Sequence, residues 1–182
     1  MKRLFLFLFF LNIVLAVNAQ KYMTKNGYIG FYSHTPMEDI KGDNNQVVGA
    51  IDISTGEMVF QALIKSFHFD RALMEEHFNE NYMESSKFPK TKFKGTIDGF
   101  NKAMLKAPVA SIKITGQLNV HGVEKTITVP GTIGLEDGKL VATAKFKVTP
   151  EEYGIVIPSL VRDKIGKEME ITVKDTYVPF GQ

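Results

Sequence analysis

From residue 112 onward, apolar and polar residues alternate. Ile112, Ile114, Leu118 and Val120 fall on one face, with Lys113, Thr115, Gln117 and Asn119 on the other. Ile127, Val129, Ile133 and Leu135 repeat the pattern. So do Leu140, Ala142, Ala144, Phe146 and Val148, and then Met169, Ile171 and Val173. A period of two with one apolar face predicts antiparallel strands that are covered on one side and wet on the other. Turn pairs punctuate them at Asn26-Gly27, Thr55-Gly56, His121-Gly122 and, most sharply, Asp137-Gly138. "IGFYSHT", "QVVGAIDIS", "EMVFQALIKSFHF", "TKFKGTIDGF" and the final "KEMEITVKDTYV" bring the count to about eight strands. Many short strands joined by tight turns predict a barrel or a sandwich. Pro130-Gly131 interrupts one strand and predicts a bulge there.

One segment breaks the alternation. Over residues 71–82 the spacing predicts an amphipathic helix of about three turns, with Asp70 as its cap. At helical spacing Leu73, Met74, His77, Phe78 and Asn81 share one side, and Glu75, Glu76, Asn79 and Glu80 the other. A shorter helical piece follows Pro158.

The first nineteen residues read differently. Lys2 and Arg3 precede an apolar run from Leu4 to Val17, and "NAQ" follows. That order predicts a secretory signal peptide over 1–19, cut after Ala19; the run is short of the ~20 residues a spanning helix needs. The domain is then 20–182, and the expected location is periplasmic or secreted. Taking Lys2 and Arg3 from the 22 basic residues leaves 20 against 20 acidic, a net charge of zero. This balance argues against a nucleic-acid partner. The chain has no cysteine, so an exported domain would depend on its core alone, without disulfides or a lipid-anchoring cysteine.

The helix and its surroundings hold the candidate chemistry. His77 with Glu76 and Glu80, and His68 nearby, are the candidate metal ligands, but they match no ligand spacing such as HExxH, so no metal is expected. An enzyme would use His77 with Glu76 or Glu80, yet no nucleophile motif, P-loop or dinucleotide fingerprint occurs. A third possibility rests on the apolar residues. Phe67, Phe69, Leu73, Met74, Phe78, Tyr82, Phe88 and Phe93 are dense over 27 residues. They would pack a filled interior or border a cavity, since eight strands enclose either a packed core or one small ligand.

Three segments resemble one family. "FHFDRALMEEHFNENYMESSKFPKTKFKG" is similar to its strand, helix and aromatic-Pro-x-x-x-Phe entry to the next strand. "ITGQLNVHGVEKTITVPGTI" is similar to its Gly-x-Leu-x-x-x-Gly hairpin, and "FKVTPEEYGIVIPSLVRDKIGKEMEITVK" to its Tyr-Gly-Ile segment and closing strand. Together these resemble the YceI-like family of polyisoprenoid-binding, lipocalin-like bacterial proteins. The chain departs from it in carrying Glu75-Glu76 before His77, where the family has Arg-Asp.

The resemblance implies an all-β fold: an eight-stranded antiparallel lipocalin-like barrel, closed at one end by the helix at about 71–82, around an apolar tunnel. The expected function is an exported binding protein that holds an isoprenoid, a quinone or a fatty-acid-like lipid, with no further cofactor. The expected lining is Phe67, Phe69, Leu73, Met74, Phe78, Phe93, Ile112, Ile114, Leu118, Ile127, Val129, Ile133, Ala142, Phe146, Ile171 and Val173. His77 and Tyr82 are the candidates for the ligand's polar head. Small residues on the inward parity, Gly116, Gly131, Ala142 and Ala144, suggest a hollow interior. The alternatives are an envelope enzyme on the same barrel and an interaction protein with a filled core.

Overall fold

The computed structural model describes residues 21–105 and 109–180. The expected signal peptide, residues 1–19, lies outside them. Eight strands follow in chain order: β1 Lys21–His34, β2 Asp39–Asp52, β3 Glu57–Leu63, β4 Lys90–Ile97, β5 Ala110–Val120, β6 Val123–Glu136, β7 Lys139–Val148 and β8 Met169–Pro179. Each pairs antiparallel with the next, and β8 returns to β1, so the sheet closes into an up-and-down barrel. Closure gives each of the eight described strands a neighbour on both sides.

The predicted turns set two of the hairpins. His121 and Gly122 stand at φ 52° and 77°, and Asp137 and Gly138 at 49° and 78°. Positive φ at both central residues matches the right-handed twist of the flanking strands.

Pro130 and Gly131 do not form the predicted bulge. They pair in register with Lys113 and Ile112, and β7 joins β6 only from Gly131 onward, so the proline stands where β6 parts from β7. The irregularities fall in β1 instead, between Thr24 and Ile29. There the Tyr28 N–H donates to Asp175 Oδ1 at 2.9 Å, and Gly27 leaves room for that carboxylate, which a Cβ would approach to 2.1 Å. Asp175 also accepts from the Tyr177 hydroxyl at 3.1 Å, and burial pushes its carboxyl up to about 6.

The two ends of the barrel differ. At one end the 3-10 segment Lys102–Leu105 carries Leu105 into a close-packed cluster with Ile51, Ile133, Leu140 and Tyr177. At the other, two long connections cover the opening. Residues 64–89 contain α1, Ala72–His77, which widens into a π turn over Phe78–Tyr82. Residues 149–168 contain two 3-10 segments, Pro150–Tyr153 and Ser159–Lys164.

The helix differs in detail from its sequence reading. Arg71, not Asp70, is the N-cap, and no side chain caps it; Glu75 reaches back to accept from the Phe69 N–H at 3.3 Å. The π turn bonds Met83 N–H to Phe78 O, one residue wider than an α turn. Asn81 is therefore carried out to solvent, while Tyr82 and Met83 turn inward. Leu73 is 59% exposed although its spacing placed it on the apolar face.

Candidate functional site: an apolar cavity beneath the helical lid

Beneath the lid lies a cavity of about 420 Å³. Its floor is the inward face of the barrel; its roof comes from α1, the π turn and the 149–168 connection. Four phenylalanines hold the lid to the barrel. Phe31 of β1 lies between Phe67, Phe69 and Phe78, with centroids 6.0, 5.6 and 5.4 Å away. Ile64, Met83, Tyr153, Ile155 and Ile157 form a second buried cluster, against which Phe78 also packs. At a neighbouring corner the His121 Nε2–H donates to Glu84 Oε2 at 2.8 Å and the ring packs on Phe88, so the β5–β6 turn is fastened to the lid.

The expected lining residues separate into four groups. Phe67, Phe69, Leu73, Met74, Phe78 and Ile171 border this cavity, as do His77 and Tyr82. Phe93, Ile114, Ile127, Val129, Ala142 and Val173 border a smaller space of about 80 Å³ deeper in the barrel. Leu118 and Phe146 border both. Ile112 and Ile133 border neither; they belong to the packed cluster at the far end, which corrects their assignment to the lining.

The argument from small residues is corrected too. Gly95 and Gly116 face each other across β4 and β5, and a Cβ on either would come within 2.6 Å of the Phe93 ring. Gly131 makes space for Ile114 in the same way, at 3.1 Å from its Cδ1. These glycines accommodate large neighbours. Only Ala142 and Ala144 border a void, the smaller one.

Several lining residues were not legible in the sequence. Phe31, Ile40 and Val161 lie in segments with no clean alternation, and only the barrel's closure brings them to one space. Ile155 and Ile157 stand inside the Tyr-Gly-Ile stretch, which was a signal for that region without assigning it a role.

Polar groups are few. Ser33 Oγ accepts from the Gly166 N–H at 2.8 Å, and Thr91 donates to the Asn119 carbonyl at 2.8 Å. Arg71 and Glu38 pair at the rim, near the exposed Leu73, His77 and Lys164 that mark the opening. Burial pushes the Tyr82 phenol above its ordinary value, so it stays a hydrogen-bond donor. His34, His68 and His121, which meet a carboxylate, do not line the cavity; His77 lines it and meets no carboxylate among the described residues. No three His, Cys, Asp or Glu side chains among the described residues group as a metal site would need. What this arrangement does best chemically is take an apolar chain out of water.

The family model of the YceI-like domain matches residues 21–176. The chain belongs to the YceI-like family. YceI-like barrels are also what it resembles in three dimensions. A polyisoprenoid binding domain from Saccharophagus degradans, implicated in plant cell wall breakdown, aligns with a TM-score of 0.77 at 12% identity, over 89% of this chain and 99% of that one. BcnA of Burkholderia cenocepacia aligns at 0.64 and 13%, over 84% and 96%. A YceI protein of Campylobacter jejuni aligns at 0.50 and 15%, over 97% and 98%. At such identities these likenesses establish the fold. No curated protein matches the chain.

Proposed function

We propose that this protein binds an isoprenoid, or another long amphiphilic lipid of quinone or fatty-acid type, with the apolar tail in the cavity beneath the lid. The observation that carries this is the cavity itself: about 420 Å³, walled by Phe, Ile, Val and Met side chains. Burying roughly 300 Å² of tail contributes about 7 kcal/mol before the costs of association. The Saccharophagus degradans domain, described as polyisoprenoid binding, supports the same reading. The rim holds the head group, with Tyr82 donating a hydrogen bond and His77 at the opening. Such a protein carries, stores or sequesters its lipid, and needs no cofactor to do so.

The proposal includes export, with residues 1–19 as a signal peptide and the mature chain periplasmic or secreted. N-terminal sequencing of the native protein tests this; soluble protein retaining Met1 refutes it.

For the ligand, the protein is purified from its native host, extracted with organic solvent and analysed by mass spectrometry. A lipid present in stoichiometric amount is the expected result. Val148→Trp, which takes up part of the cavity, should retain less of it while the melting temperature stays within a few degrees. A lipid retained at full occupancy in a folded Val148→Trp protein would remove the cavity from the function.

A further inference from the structure

The hollow part of the barrel has an outer and an inner chamber, and the side chains that border both are identifiable. The outer chamber, under the lid, measures about 420 Å³ and the inner one about 80 Å³. Both are bordered by Ile29 of β1, Thr91 of β4, Leu118 of β5 and Phe146 of β7. These four form a girdle across the barrel. Below the inner chamber the interior is solid: Ile51, Ile133, Leu140 and Tyr177 have no exposed surface. A chain entering under the lid therefore meets a blind end.

We infer that this girdle limits the length of apolar tail that the protein accepts. The inference rests on the lipid-binding function proposed above and adds to it a size class. At roughly 30 Å³ for each heavy atom, the outer chamber holds about fourteen of them, close to one farnesyl chain. A longer tail leaves its remaining isoprene units in water at the opening, where they contribute no burial. Ile29, Leu118 and Phe146 set the stop by bulk. Thr91 is already committed to the Asn119 carbonyl, so it offers the tail no new hydrogen bond. Trimming Leu118 or Phe146 joins the chambers and lengthens the path.

The test is a series of geranyl, farnesyl, geranylgeranyl and longer polyprenyl chains on one fluorescent head, titrated into the full folded protein. For the wild type, affinity should rise by about tenfold or more from geranyl to farnesyl, as each added unit is buried. It should then change by less than about threefold for every longer chain. Leu118→Ala should move that plateau to geranylgeranyl. Phe146→Leu, a gentler change, should move it in the same direction if Leu118→Ala does not fold. Affinity that keeps climbing beyond farnesyl in the wild type overturns the inference, as does a plateau that stays at farnesyl in a folded variant. Failure of every chain to bind has a different meaning: the lipid-binding reading itself falls, and the girdle with it.

Discussion

The ring of Phe78, at the start of the π turn, lies on the ring of Phe31 in β1, with centroids 5.4 Å apart and planes inclined by 19°. Phe78 also meets Phe67 and Phe69, at 5.5 and 5.0 Å. This cluster is where the lid is fastened to the barrel, so it couples the stability of residues 72–83 to the closure of the cavity. Phe78→Ala should cost about 2–3 kcal/mol, below the full range for a buried phenylalanine because the ring is only half-buried. Urea denaturation measures the loss. Amide exchange should rise first in the lid; unchanged protection over residues 72–83 would show that the cluster does not hold it.

Asp175 makes stability depend on pH in an unusual direction. Its folded carboxyl titrates at about 6 because it is buried, against ~3.9 for an unfolded aspartate. Below about pH 4 both states are protonated and the ionised form costs nothing. Between about pH 4 and 6 the unfolded chain ionises first, so the folded state loses stability as pH rises. The loss is complete above about 6 and amounts to about 3 kcal/mol. Asp175→Asn keeps an acceptor for the Tyr28 N–H and should remove that slope. Asp39, held low by His34, and Asp52, held low by Ser54, act below about pH 4 and leave the window clear. Parallel stability curves for the two proteins from pH 4 to 7, about neutral, would refute this account.

Two substitutions that enlarge inward side chains should behave oppositely. Val148→Trp projects into the outer chamber and should reduce ligand binding with little loss of stability. Ala142→Phe projects into the 80 Å³ space beside Phe93 and Phe146, and should cost about 1–3 kcal/mol from overpacking. The chain has no tryptophan, so the introduced indole also reports its own environment by fluorescence. Equal destabilisation by both would mean the outer chamber is not free to be filled.

The β5–β6 turn offers a local test of backbone conformation. Gly122 stands at φ 77°, and a Cβ there would come 2.6 Å from the Phe88 ring. Gly122→Ala should cost about 1–2 kcal/mol from the left-handed conformation, with some further cost if Phe88 has to move. Thermal denaturation measures it. A variant as stable as the wild type would show that both the turn and Phe88 readjust freely.

The sequence by itself determined what depends on near neighbours. Alternation in β5 to β8 follows from the pleat, which sends successive side chains to opposite faces, and His121-Gly122 and Asp137-Gly138 mark their turns because both positions need positive φ. The helix was legible in its place but not in its face, because a π turn shifts the inward positions from Asn81 to Tyr82 and Met83. Only the tertiary structure decided where the barrel is hollow. Ile112 and Leu118 share one strand and one parity, yet Ile112 is packed at the closed end while Leu118 borders both chambers. Parity is a property of one strand. Void space at a given height is what remains after eight strands and their long connections have placed their side chains together, and no single stretch of sequence contains that difference.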